Sequence, residues 1–304
     1  MDLAADFSFQ PLPAVENATL APFPEVASPL GPIAPLAGTW SGRGFNVIWR
    51  PNHTPSSQDH FLELNVTSDQ IEFTSVPGSI PNRGFHQPDI NMFGLTYLQQ
   101  ISDANLKAGL HIEPGLWVVI PRTTDPSVPP TVARLASIPH GTTILVQGTA
   151  ATASAGPSIP NIGIKPFPLG QPSQTIDFPE QTLTNHTTFR SSGAGLTGVT
   201  QAMVNNPNSV LQSAISGQHF ASTTTLHVTT GDAPVPGGGT ANTAFLKGGK
   251  DGANADAVSV TATFWLETLQ GQSAPTQLQY SQTVLLNFNG ISWPHVTVAT
   301  LRKS

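Results

Sequence analysis

Cysteine is absent from the 304-residue chain, which excludes disulfides, thiolate metal ligation and cysteine nucleophiles. Charge is scarce. Asp, Glu, Lys and Arg make up 10% of residues, against roughly 25% in an ordinary soluble domain. The surface must therefore be built from Ser, Thr, Asn, Gln and Gly. A net charge of −6 with 12 basic residues and no basic cluster argues against nucleic acid or an anionic membrane surface as partner. No uncharged apolar run approaches the ~18 residues a spanning helix needs, so no membrane span is expected. The opening stretch MDLAADFSFQPLPAVENATLAPFPEV is acidic and proline-rich. It has no basic segment followed by an apolar one, so no secretory signal is expected and a cytoplasmic location follows as the working expectation.

What is present is patterned for strands. Hydrophobic residues reach 38% and are spread along the chain. Pro11, Pro13, Pro22, Pro24, Pro29, Pro32 and Pro35 lock φ and remove amide donors, which predicts an irregular arm over residues 1–36 that packs on the domain. From residue 37 onward, β-branched and alternating runs recur between Gly, Pro, Asn and Asp turns. One such run, HFLELNVTSDQIEFTSV, is expected to fold back at TSDQ as a hairpin. About ten mostly sequential strands predict an all-β fold, an antiparallel meander closed into a barrel over residues 37–304. A long insertion over about 150–250 interrupts it. That insertion holds one expected helix near 196–217, with Val210, Leu211, Ala214 and Ile215 at helical spacing and a break at Asn206–Pro207. The helix reads as a cap on a barrel end or as a lid.

Motifs that carry common chemistries are missing. There is no G-x-S-x-G elbow, no H-E-x-x-H and no EF-hand loop. LKGGKDG lacks the spacing and hydroxyl of a phosphate loop, and GRGFNV precedes a strand instead of opening a helix. Nine histidines remain. His53, His60, His86 and His186 lie in polar, turn-like contexts and are expected at the surface. His219 and His227 fall on one face of a strand but lack a third ligand for a metal.

His111, His140 and His295 are the candidates for chemistry. His111 and Glu113, two apart in LHIEPGLW, point to one strand face. If that face is interior they pair, because neither is buried cheaply alone. His140 ends a strand in SIPHGTT. In the closing run GISWPHVTVATLRKS, Trp293, His295, Thr297 and Ala299 share a face, and the small residues leave room beside the imidazole. His295 reads either as a satisfied core histidine or as the ligand of something the barrel holds, since a neutral imidazole in an apolar cavity suits a haem iron.

Three segments in order, GTWSGRGF, LHIEPGLW and PHVTVATLRK, resemble the nitrobindin family of calycin-type haem-binding barrels. The resemblance covers about a third of the chain. The resemblance implies haem b held near an open barrel end, with His295 as the iron's axial ligand. It also implies His111 beside the haem, and Trp293, Thr297 and Phe45 contributing to the cofactor pocket. The arm before Gly38 and most of residues 150–250 have no counterpart in that family.

An open sixth position on the iron would accept peroxide, nitric oxide or peroxynitrite. Peroxidase-type chemistry then needs a base, for which His111 and His140 are candidates, and a cation, for which Arg134 or Arg50 qualifies. Two rivals stand beside this reading. One is a lipocalin-like carrier of an apolar small molecule. The other is a cofactor-free hydrolase or cyclase using His111 and Glu113. Monomer and homodimer are both left open.

Overall fold

A computed structural model describes residues 28–53, 58–231 and 237–304. Residues 1–27 of the proline-rich arm lie outside the described residues. Ten long strands follow in chain order: β1 (Gly38–Pro51), β2 (His60–Ser75), β3 (Ile90–Asp103), β4 (Gly109–Ile120), β5 (Thr131–Ile138), β6 (Thr142–Ala153), β7 (Phe220–Thr229), β8 (Asp256–Leu269), β9 (Gln277–Phe288) and β10 (Ile291–Lys303). Each pairs antiparallel with the next. β10 then pairs back onto β1, from Trp40↔Lys303 to Val47↔Val296. The expected closed barrel is therefore the architecture, and closure removes the sheet edges that an open meander would leave unpaired.

The seam between β1 and β10 explains two glycines of the GTWSGRGF segment. A Cβ at Gly42 would lie 2.1 Å from the Thr300 carbonyl oxygen, and one at Gly44 2.2 Å from that of Val298. Only glycine lets the first and last strands approach so closely there.

The hairpin expected at TSDQ does not form. β2 runs unbroken from His60 to Ser75. Thr67 to Gln70 pair with β1 on one side and β3 on the other, and Asp69 points inward and is buried. Polar residues in a barrel strand need not mark a turn when the barrel has a polar interior layer.

The core divides in two. Inside the barrel, Trp40, Phe73, Leu95, Trp117, Phe264 and Leu301 belong to one cluster that packs one end solidly. The 3₁₀ turn Gly31–Leu36 closes that end with the buried Ile33 and Leu36. A second cluster lies outside the barrel wall. Outward-facing Phe45, Val47 and Trp49 of β1, Leu62 and Leu64 of β2, and Val296 and Val298 of β10 meet Ile164, Val204 and Leu211 of the insertion.

These strands are apolar on the outer face, so water must be excluded from it, and the insertion does this. The expected helix is two short ones, α1 (Gln201–Asn205) and α2 (Ser209–Ala214), interrupted where Pro207 lacks an amide donor. They lie on the barrel's side wall, with α2 against β10. A third, α3 (Ala244–Lys247), lies in the Gly-rich stretch before β8, so the insertion carries three short α-helices among the described residues, beside two 3₁₀ turns at Pro179–Gln181 and Gly193–Leu196. None of these helices is long and apolar enough to cross a membrane.

Candidate functional site

The barrel end opposite the packed one holds a cavity of about 410 Å³, within the range typical of small-molecule pockets. Its upper walls are apolar and include Ile48, Ile138, Ile144, Val284 and Leu286. His295, Thr297, His111 and His140 all line it, as does Arg50 at the rim, where it pairs with Glu63 at 3.1 Å. The structure thus brings the three candidate histidines to one space from three separate parts of the sheet.

His295 sits beside the seam. Burial, reinforced by His111 and His140 nearby, lowers its pKa to about 3, so the imidazole is neutral at physiological pH. Its Nε2 lies 3.1 Å from the Asn46 amide nitrogen. That nitrogen also donates to Thr297 Oγ1 at 2.6 Å, which leaves Nε2 as the acceptor and puts the ring proton on Nδ1.

His111 Nε2 lies 3.2 Å from Glu113 Oε2. The expected pairing across one strand face is present, and Glu113 is fully buried. Burial opposes ionisation of Glu113. Arg134, His111 and Tyr97 outweigh it and hold the carboxyl at about 2, so the carboxylate accepts Nε2–H and the Nδ1 lone pair of His111 is left over. The His111 and His140 rings are 5.6 Å apart. Burial, then His111, lowers the pKa of His140.

Arg134 does not line the cavity. It lies beneath the floor, buried, with its guanidinium bonded to Glu113, to the Tyr97 hydroxyl at 2.8 Å and to Gln282 Oε1 at 2.5 Å. Glu113 and Tyr97 keep it cationic despite burial. Phe45 and Trp293 also lie away from the cavity, in the outer cluster. Trp293 shares a row with His295, as expected, but β1 and β10 part beyond Val47↔Val296. Its ring passes into that cluster, 4.9 Å from His60 and 4.8 Å from Phe288. His60, expected at the surface, is buried there and bonded to Asp59 at 2.7 Å. His53, His86 and His186 are exposed, as expected.

Sequence reading missed the polar floor of the cavity. Tyr280 donates to Asp69 and accepts from Gln99 Nε2 at 2.9 Å. Burial, resisted by Tyr280, Gln99 and His111, raises the Asp69 pKa to about 6. One signal was available: the chain has two tyrosines, and both are buried with their hydroxyls on carboxylates. No group of three or more metal-ligating side chains occurs among the described residues.

No family model matches the chain, and no curated protein matches it. Among solved structures it is similar to the crystal structure of Rv2717c from M. tuberculosis. That match has 14% identity and a TM-score of 0.43, and covers 91% of this chain and 98% of the other.

Proposed function

We propose that the barrel binds haem b through His295. The observation that carries this reading is a neutral imidazole on the wall of a largely apolar cavity, with its Nε2 lone pair engaged only by a neutral amide. A bare metal ion wants three or four protein ligands, whereas an iron porphyrin brings four of its own and asks the protein for one. The donor set fits that demand. Asn46 would have to release Nε2, a rotation of one side chain. When bound, haem would supply an iron centre with a free position for peroxide, nitric oxide or peroxynitrite.

The remaining roles belong to this chain's own residues. His111, oriented by ionised Glu113, holds a free Nδ1 able to take or return a proton inside the cavity. His140 is the second base within reach. Arg134 acts through Glu113: its charge fixes the carboxylate and so the tautomer of His111. The apolar walls exclude water.

Titration of the purified chain with haemin tests the reading. A Soret band that saturates at one equivalent, and shifts or disappears in His295→Ala, is expected. Absence of the band, or its indifference to that change, overturns it. The Asn46–His295 bond supports a second reading, a carrier of an apolar small molecule in which His295 only lines the wall. That protein leaves the haemin spectrum that of free haemin and keeps its ligand in His295→Ala.

A further inference from the structure

The floor of the cavity carries two amide groups whose orientation is forced by their neighbours. Gln99, on β3, is 4% exposed. Its Nε2 faces the Tyr280 hydroxyl at 2.9 Å and Asp69 Oδ2 at 3.3 Å. Tyr280 spends its proton on Asp69, so its oxygen can only accept from Gln99. The nitrogen must point there, and Oε1 is left over.

Gln282, on β9, presents Oε1 to Arg134 at 2.5 Å. A guanidinium has no acceptor, so the oxygen must face it and the Nε2 hydrogens are left over. Neither Gln99 Oε1 nor Gln282 Nε2 has a hydrogen-bond partner among the described residues, and both side chains line the cavity. One acceptor and one donor therefore stand on the floor, each locked by a buried charged or hydroxyl group behind it.

We propose that this floor is a subsite for the polar end of an apolar small molecule carrying a carbonyl beside an N–H, that is, a primary amide or lactam edge. Gln282 Nε2 donates to the ligand carbonyl and Gln99 Oε1 accepts its N–H. The apolar body lies against Ile48, Ile138, Ile144 and Val284 above. A site built this way discriminates strongly. A ligand that cannot donate leaves Gln99 Oε1 desolvated and unpaired, and polar sites reject such analogues far better than apolar pockets reject a changed methyl. The proposal goes beyond the haem reading and does not depend on it.

The test is isothermal titration calorimetry of the full chain, before haemin is added, with octanamide and with N,N-dimethyloctanamide. Octanamide is expected to bind saturably at one site, and the dimethyl compound at least about tenfold more weakly. Gln99→Met is expected to weaken octanamide and to bind the dimethyl compound at least as tightly as the native chain does, so that the preference between the two collapses, because no oxygen is left to strand. Equal affinities, no octanamide binding, or indifference to Gln99→Met in a folded variant overturns the proposal.

Gln282→Met is the companion variant. If it fails to fold because Arg134 loses a partner, the amide pair on the native chain and Gln99→Met still decide. Haemin titration of the same preparations reads the His295 proposal separately. A protein that does not shift the haemin Soret band yet prefers octanamide sinks the haem reading alone, and one that shifts it without amide preference sinks this one alone.

Discussion

Asn46 and His295 meet across 249 residues of chain, with 3.1 Å between the amide nitrogen and Nε2. The amide also holds Thr297, and its oxygen accepts from Asn65 at 3.5 Å. Replacing Asn46 with Ala frees the Nε2 lone pair and strands the other two partners. Haemin titration of Asn46→Ala is expected to give a band at least as tight as the native chain's. Denaturant unfolding is expected to register a loss of about 1–3 kcal/mol. A folded Asn46→Ala variant that no longer takes haemin would make Asn46 part of the binding machinery.

Two buried groups pull the pH dependence of stability in opposite directions. His295 has its pKa lowered from 6.5 to about 3. Between those values the unfolded chain binds a proton that the native one refuses, so this group makes stability rise with pH. Asp69 has its pKa raised from 3.8 to about 6. Between those values the native chain holds the extra proton, so this group makes stability fall as pH rises. Unfolding curves for Asp69→Asn should therefore gain on the native chain progressively from about pH 4 to pH 6 and run parallel above it. A constant difference across that window would mean Asp69 is not the titrating group.

Arg134 and Glu113 form a buried ion pair. Removing one member leaves an uncompensated charge, at a cost of about 3–5 kcal/mol. Arg134→Met alone should lose stability on that scale by chemical denaturation. Arg134→Met combined with Glu113→Gln should recover much of it.

The outer cluster makes a separable prediction. Leu211 is fully buried between the insertion and the barrel wall. Leu211→Ala should cost about 2–5 kcal/mol and open residues 155–215 to limited proteolysis. Haemin binding should be unaffected, because no residue of α2 lines the cavity. A parallel loss of binding would tie the insertion to the site.

The barrel was legible in the chain because its strands are sequential and bounded by turn residues, and because the seam leaves a signature in Gly42 and Gly44. His111, Glu113 and His295 were legible because alternation fixes which residues share a face. The floor was not. Asp69 sits in TSDQ, where four polar residues mimic a turn, and nothing local reveals that the strand continues through a polar interior layer. Trp293 and Phe45 misled for the opposite reason. Alternation assigns a face, but some faces of this barrel are apolar on both sides, so an aromatic residue does not reveal which side it fills. His60 belongs to the same lesson: its neighbours in sequence are polar, whereas in space its ring packs among Trp49, Phe178 and Trp293.

Because Asn46 lies on the first barrel strand and His295 and Thr297 on the last, the site is assembled by contacts between residues 249 and 251 positions apart in the chain. Such contacts are costly in loop entropy and form late. A chain emerging from synthesis has every other wall strand in hand before it has a seam. Occupancy by a ligand at this site would therefore report completion: only a molecule that has closed its own circle presents the site, and binding there would reward that closure by mass action.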